Sequence, residues 1–227
     1  MGHKNGAFKV FISGQKYFGA EVFRLCAELG CEIVGVCCPV GDVYIGRLAA
    51  LNGAPIVPGG GLNYETMPRG VDLGVSAHSF DYIGKKTRYA PRLGWLGFHP
   101  SLLPRHRGRS AIEWALRMRD PVIGGSVFWL NAGIDRGDIE RQDWRFIDPA
   151  LFSKDPRKAA GALWRSEILP MGVGLMRGAL TDIMAGKINR VPQDNRFSTW
   201  EPSTDVNDIY RPDALMLPAP GVNRLTG

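Results

Sequence analysis

The chain lacks the features that would assign it to several specialised classes of protein. No stretch approaches the roughly 18 consecutive apolar residues that a membrane-spanning helix needs. Residues 1–6 contain no apolar core of the kind that a secretory signal peptide has. Cysteine is scarce: there are four, and none combines C-x-x-C spacing with a histidine partner, as a zinc site would require. We therefore expect a cytoplasmic protein that binds neither a membrane nor a metal and keeps its cysteines reduced and buried.

Patterns typical of nucleic-acid and dinucleotide binding are also missing. The net charge is +6, but the basic residues do not form a long stripe interleaved with aromatic residues, so we expect no nucleic-acid partner. Basic residues instead concentrate within 105–119, either as a rim that attracts an anionic ligand or as a solvated face. The loop 13–16 does not have the G-x-G-x-x-G pattern of a dinucleotide site. It is either an anion cradle at the start of the next helix or a turn without a ligand.

What the sequence does contain is an alternation of apolar runs and helix-like periods. Residues 8–13, 31–38, 71–77 and 94–98 are apolar or β-branched and predict buried strands, while 17–29 has its apolar residues at helical spacing. This alternation predicts an α/β fold with a single Rossmann-like, open, mainly parallel sheet and helices on both faces. In such sheets ligands bind beyond the carboxyl ends of the strands.

One catalytic domain over residues 7–190 accounts for this pattern. Within it, 158–186 predicts one long helical stretch that is interrupted near 170–172. Residues 191–227 are polar and rich in proline, and we expect an extended tail that packs on the domain or trails from it.

Two short segments carry residues suited to acid–base chemistry. His99 follows an apolar run and opens a loop in which Pro100 and Pro104 restrict the backbone. Asp135 lies in a glycine-flanked turn between two strand-like runs. A carboxylate beside an imidazole favours the protonated imidazole, so the two side chains would form an acid–base pair. Taken alone, however, a loop histidine is more often simply solvated. Ser110 is a candidate N-cap for a helix over 110–118.

The motifs around these two residues resemble those of the folate-dependent formyltransferase family. They are HPSLLPRHRG at 99–108, a turn of the D-x-G-D-I type within 133–139, GGSVFW at 124–129, SGQ at 13–15 and FG at 18–19. Within the family, the similarity is greater to the amino-terminal hydrolase domain of 10-formyltetrahydrofolate dehydrogenase.

The resemblance implies a formyltransferase fold, 10-formyltetrahydrofolate as the formyl donor, and no metal. It implies that protonated His99 stabilises the oxyanion and acts as the general acid. Asp135 would hold the imidazolium state and accept a proton from the nucleophile. The folate-contacting loop of the family aligns with Asp81, Tyr82 and Ile83, where backbone groups meet the pterin and the last two side chains form an apolar wall.

One departure from the family pattern leaves the acceptor open. Amine formyltransferases of this family carry an asparagine two residues before the histidine, where this chain has Gly97. Loss of an oxyanion donor costs roughly 3 kcal/mol of transition-state stabilisation. The hydrolase domains also lack that asparagine.

Three functions therefore remain. The first is formyl transfer to the amine of a small-molecule acceptor, such as an amino sugar, a nucleotide or an amino-acid derivative. The second is hydrolysis that releases formate, and the third is folate binding without turnover. Hydrolysis would drain one-carbon units, which favours transfer, and the presence of both His99 and Asp135 argues against binding alone. The sequence is also compatible with a homodimer.

Overall fold

The computed structural model describes residues 6–204 and contains a seven-stranded sheet with flanking helices. The predicted tail residues 205–227 lie outside this described part. The strands are β1 (Lys9–Gly14), β2 (Glu32–Cys38), β3 (Ile56–Pro58), β4 (Leu73–Ala77), β5 (Trp95–His99), β6 (Val122–Trp129) and β7 (Ile139–Phe146). The α-helices are α1 (Lys16–Glu28), α2 (Ile45–Leu51), α3 (Lys85–Arg88), α4 (Ala111–Arg117), α5 (Pro156–Leu163) and α6 (Leu169–Met184). No helix in the described part is both long and apolar enough to cross a membrane.

The strand order across the sheet is β3-β2-β1-β4-β5-β6-β7. All neighbouring pairs from β3 to β5 are parallel, whereas β5–β6 and β6–β7 are antiparallel. The predicted Rossmann-like, mainly parallel sheet is therefore confirmed, with an antiparallel edge that the sequence pattern did not specify.

The two faces of the sheet are covered unequally. The larger core packs the long helices α1 and α6, with α2, α4 and α5, against one face. On the other face a smaller core joins Phe11 and Trp95 to residues of the loop 62–71 and to Ile83, just before the short α3. The cleft beyond the carboxyl ends of β4 and β5 is lined by residues from both cores, among them Ile83 and Phe98.

The long helical stretch begins at Pro156 and runs to Met184, but its irregularity is not where the sequence placed it. The interruption is a π-helical turn over Trp164–Ile168, before Pro170 rather than at 170–172. The N–H of Leu169 donates to the carbonyl of Trp164, five residues back. Because Pro170 has no N–H of its own, a wider turn ahead of it costs the helix little.

Ser110 immediately precedes α4, yet it does not cap the helix as predicted. Its backbone is left-handed, with φ of 61°, and its side chain makes no capping hydrogen bond. Its Oγ instead accepts hydrogen bonds from the N–H and the hydroxyl of Thr204. The domain boundary at residue 190 stays a prediction.

Candidate active site

A cleft of ≈ 480 Å³ lies beyond the carboxyl ends of β4 and β5. Its walls come mainly from 78–83, 97–100, 108–111 and 128–135. The fold therefore brings together residues that are far apart along the chain. Every residue that the sequence predicted for the site lines this one cleft: Asp81, Tyr82, Ile83, His99 and Asp135.

His99 is the last residue of β5 and is buried, with 6% of its surface exposed. Its Nε2 lies 2.6 Å from the backbone carbonyl oxygen of His106. Because a carbonyl oxygen only accepts, Nε2 carries a proton and donates this hydrogen bond. Nδ1 is therefore the ring nitrogen left for chemistry, and it lies 3.6 Å from Oδ2 of Asp135.

Asp135 is held in the turn between β6 and β7 in a left-handed conformation, with φ of 51°. The N–H of Gly108 donates to its Oδ2 at 2.8 Å, which joins this turn to the loop that follows His99. Gly137 closes the turn, where a Cβ would collide with the carbonyl oxygen of Trp129. The 3.6 Å separation from His99 is an ion-pair distance, longer than a direct hydrogen bond. A group that exchanges a proton with both side chains can therefore reach them together.

The position of the missing asparagine is closed by apolar side chains. A Cβ at Gly97 would lie 2.7 Å from Cδ1 of Leu130 and 3.1 Å from Cε1 of Phe128. The backbone here thus leaves no room for a longer side chain unless Leu130 moves. The chain supplies no oxyanion donor from position 97.

His78 lines the same cleft and is half-buried. Its ring packs edge-on against Phe80 and Trp164, with ring centres 5.6 and 5.8 Å away. Burial lowers the pKa of His78, and the positive charge of Lys16 lowers it further. The ring is therefore mainly neutral at pH 7. Its contacts are those of a packed aromatic side chain.

Residues 81–83 lie in the loop that follows β4, and their three side chains have different surroundings. The Asp81 carboxylate is occupied within the protein, by the N–H of Gly60 and the hydroxyl of Ser79 among others. Ile83 is buried in the second core, and Tyr82 is 84% exposed at the mouth of the cleft. The Asp81 side chain thus fixes the loop, which leaves its backbone and Tyr82 at the cleft. Their role in folate binding stays a prediction.

The basic residues within 105–119 do not surround the cleft as a cationic rim, nor are they simply solvated. Most of them pair with other side chains. The buried ones are His106, with Asp120 and Glu201, and Arg107, with Gln193 and Asn195. Arg105 and Arg117 pair at the surface, with Asp120 and Glu113. Of this group, Arg109 lines the cleft, with its guanidinium 5.0 Å from the centre of the Phe80 ring.

The loop 13–16 is likewise occupied by a group of the chain itself. Oδ2 of Asp42 accepts a hydrogen bond from the N–H of Lys16 at 2.8 Å, at the start of α1. Burial raises the pKa of Asp42, but hydrogen bonds from the N–H groups of Lys16, Tyr44 and Gly46 outweigh it and hold the pKa below its ordinary value. A carboxylate therefore stands where a bound anion would lie.

Sequence reasoning missed the residues that support the site from behind. The Gln193 amide donates to the backbone of Asp135, 58 residues away, and the Glu201 carboxylate contacts the His106 ring, 95 residues away. Both belong to the segment interpreted as a tail. No local pattern marks them, because their partners are set by the path of the folded chain.

Comparison with known proteins agrees with this architecture. Residues 63–155, which include His99 and Asp135, match the family model described as formyl transferase. Human cytosolic 10-formyltetrahydrofolate dehydrogenase is 32% identical over 213 residues, covering 85% of this chain and 22% of the relative. Its human mitochondrial counterpart is 33% identical over 207 residues, with the same coverage. The chain thus spans about a fifth of the length of these relatives.

The fold is shared with formyltransferases of known structure. WlaRD, a sugar 3N-formyl transferase whose structure was determined in the presence of dTDP and 5-N-formyl-THF, superposes with a TM-score of 0.69. The match covers 89% of this chain and 72% of that one at 18% sequence identity. A 4-N formyltransferase from Francisella tularensis matches with a TM-score of 0.67 and 18% identity, over 85% of this chain and 75% of the other. The family match places residues 63–155 in the formyl transferase family, and the chain as a whole is similar in sequence to these dehydrogenases and in fold to these formyltransferases.

Proposed function

We propose that this protein transfers the formyl group of 10-formyltetrahydrofolate to the amine of a small-molecule acceptor, such as an amino sugar, a nucleotide or an amino-acid derivative. The observation that carries the proposal is the pairing of His99 Nδ1 with Asp135 Oδ2 at 3.6 Å on the wall of the cleft. Both groups are largely buried, so charges that develop between them are weakly screened.

The cleft suits a folate in size and character. Its volume of ≈ 480 Å³ lies within the range of about 300–1,000 Å³ of small-molecule sites. Phe80, Tyr82 and Leu130 present apolar surface, on which a flat heterocycle packs well. The backbone of 81–83 offers hydrogen-bonding groups beside that surface.

The two side chains divide the proton transfers between them. Protonated His99 donates from Nδ1 to the oxyanion that forms on the formyl oxygen, while its Nε2 stays bound to the His106 carbonyl. Asp135 accepts a proton from the attacking amine, directly or through water. The new bond joins the amine nitrogen to the formyl carbon, and the bond from that carbon to N10 breaks. N10 then takes a proton from His99, and the proton that Asp135 accepted passes to Nδ1 of His99, so that both side chains end in the states in which they began.

Hydrolysis is the second candidate, and a specific observation favours it. Leu130 and Phe128 close the position at which an amine-specific site would place its additional donor, next to Gly97. Water is small enough to attack without a further binding site. The same His99 and Asp135 roles would then release formate and tetrahydrofolate.

The deciding experiment measures tetrahydrofolate release from 10-formyltetrahydrofolate by absorbance, with and without a panel of amino sugars, aminonucleotides and amino acids. Release that requires one class of amine supports transfer and identifies the acceptor. Release without any amine supports hydrolysis. Folate binding without release under every condition would contradict both and leave a binding protein. Cytoplasmic location, a homodimer and the lack of a nucleic-acid partner stay predictions.

A further inference from the structure

Residues 191–204, which we name the strap segment, run along the back of the loop that holds His99. An isolated antiparallel bridge between Ile139 and Val191 fixes the start of the strap segment beside β7. Further along, Thr199 accepts hydrogen bonds from the N–H groups of His106 and Arg107, at 2.8 Å through its hydroxyl and 3.1 Å through its carbonyl. The strap segment therefore contacts the turn of Asp135 at one end and the loop of His99 at the other.

Gln193 uses its whole amide to join these two elements. Its Nε2 donates to the backbone carbonyls of Asp135 at 2.9 Å and Gly137 at 2.7 Å. Its Oε1 accepts from Nη2 of Arg107 at 2.7 Å and from Nε at 3.1 Å. Asp135 is a non-glycine residue in a left-handed conformation, which persists only where surrounding contacts impose it. The Gln193 amide supplies two of those contacts.

Arg107 adds a buried positive charge to this connection. It is 3% exposed, and its hydrogen bonds within residues 6–204 go to the amide oxygens of Gln193 and Asn195 rather than to a carboxylate. Burial and the charge of Arg136 lower the pKa of Arg107, and the negative charge of Asp135 opposes this. The guanidinium and the Asp135 carboxylate therefore attract one another across the Gln193 amide.

Glu201 acts on the histidine side of the site. It is 2% exposed, and its Oε2 lies 3.1 Å from Nδ1 of His106, whose Nε2 lies 2.8 Å from Oδ2 of Asp120. Because both ring nitrogens face carboxylates, both donate and the ring is an imidazolium. This clamp fixes the His106 backbone, whose carbonyl accepts the hydrogen bond from His99.

We propose that the strap segment sets the His99–Asp135 geometry, with Gln193 as the positioning residue for Asp135 and Glu201 as the positioning residue for His99. The inference rests on the proposed function, in which His99 and Asp135 carry the chemistry. Neither Gln193 nor Glu201 is among the residues that line the cleft, so each acts through the residue that it holds.

The test compares Gln193→Ala with Asn195→Ala. Both variants remove hydrogen bonds to Arg107, two in Gln193→Ala and one in Asn195→Ala, but among the described residues the Asn195 side chain makes no hydrogen bond to the Asp135 turn. A displacement of about 1 Å at a catalytic group costs about 100-fold. We therefore expect kcat for tetrahydrofolate release to fall about 10–100-fold in Gln193→Ala with little change in KM, and to change little in Asn195→Ala. An equal fall in both variants, matched by equal losses of thermal stability, would overturn the assignment of Gln193.

A readout that does not require turnover separates this inference from the proposed function. The ¹⁵N resonances of the His99 ring, assigned with His99→Gln, report the hydrogen bonds of that ring. We expect these resonances to shift in Gln193→Ala and in Glu201→Ala. In Glu201→Gln, which restores an acceptor for His106, they should return towards their wild-type positions. In the control Asn195→Ala they should stay unchanged. Unchanged resonances in the first two variants would overturn the positioning role. A wild-type protein without turnover would overturn the proposed function alone.

Discussion

His99 ends β5 and His106 lies on the loop that follows, and the two rings differ in how many carboxylates stand at hydrogen-bond distance. His106 has a carboxylate at hydrogen-bond distance from each ring nitrogen, 2.8 Å to Asp120 and 3.1 Å to Glu201. His99 has one firm partner, the His106 carbonyl, and a carboxylate 3.6 Å from its other nitrogen. The first ring is held in one protonation state. The second has its Nδ1 on the wall of the cleft, at ion-pair distance from one carboxylate.

The comparison teaches that the proposed site has two sets of contacts: that of His99 with Asp135 at the cleft, and those of His106 with its carboxylates behind it. In the positioning role that we propose, His106 is held by its two carboxylates and fixes the backbone carbonyl that accepts the hydrogen bond from His99. Deep ion pairs such as that of His106 with Glu201 contribute little to net stability compared with apolar packing, but they are costly to break. We infer that these ion pairs position the carbonyl oxygen of His106, which accepts the hydrogen bond from His99.

The largest expected effect comes from removing the His99 ring. His99→Ala removes the group that donates to the oxyanion, and general acid catalysis of this kind contributes about 10²–10⁴-fold. We expect turnover of 10-formyltetrahydrofolate to fall by about that factor, while tetrahydrofolate binding, measured by fluorescence, and the melting temperature stay close to wild type. Turnover at the wild-type rate would remove His99 from the chemistry.

Removing the clamped ring should instead act on stability. His106→Ala leaves the Glu201 carboxylate buried without its partner, and breaking such a pair costs about 3–5 kcal/mol of unfolding free energy. Urea titration monitored by tryptophan fluorescence measures this loss. The control is Arg24→Ala, which breaks a half-exposed pair with Glu21 and should cost about 0–1 kcal/mol. Equal losses in both variants would mean that the clamp is no stronger than a surface pair.

Gly97 tests how tightly the cleft is packed beside His99. Gly97→Ala places a Cβ 2.7 Å from Cδ1 of Leu130, and overpacking of this kind costs about 1–3 kcal/mol. Leu130→Ala should relieve most of that cost in the double variant, which a double-mutant cycle on unfolding free energies would detect. Strict additivity of the two substitutions would show that Leu130 is not the obstacle.

The smallest expected effect is on the pH dependence of stability. Burial lowers the pKa of His106, but hydrogen bonds and charge from Asp120 and Glu201 outweigh it and raise the pKa above its ordinary value. For Asp120, burial raises the pKa, but hydrogen bonds from His106 and Arg105 outweigh it and lower the pKa. The stabilisation from His106 is therefore complete below pH about 6.5 and is lost as the pH rises through its raised pKa. The stabilisation from Asp120 is present above pH about 3.9 and is lost as the pH falls through its lowered pKa.

The resulting stability difference between wild type and His106→Gln should be greatest between about pH 4 and 6.5 and shrink by on the order of 1 kcal/mol above neutrality. Urea titrations over pH 4–9 measure it. A difference that grows with rising pH would show that His106 is not held as a cation.

Local sequence determined the fold class and the two residues at the centre of the site. Apolar runs and helical periods are short-range patterns, and they predicted the parallel half of the sheet because each strand must bury its own side chains. The resemblance of the motifs at 99–108 and 133–139 to the formyltransferase family predicted His99 and Asp135 as site residues, and such a resemblance can be seen because each motif is contiguous. The hydrogen bond of the Ser110 side chain could not be predicted in this way, because its partner, Thr204, lies 94 residues away along the chain.

Tertiary structure alone decided how those residues face one another. The sequence could not show which nitrogen of His99 meets Asp135, that Arg105 and His106 pair with Asp120, or that Asp42 occupies the start of α1. Nor could it show that the segment interpreted as a tail supplies Gln193 and Glu201 to the back of the site. The physical reason is the same in each case. A hydrogen bond depends on distances and angles between two atoms, and when its partners lie 14 to 95 residues apart only the folded path of the chain sets them.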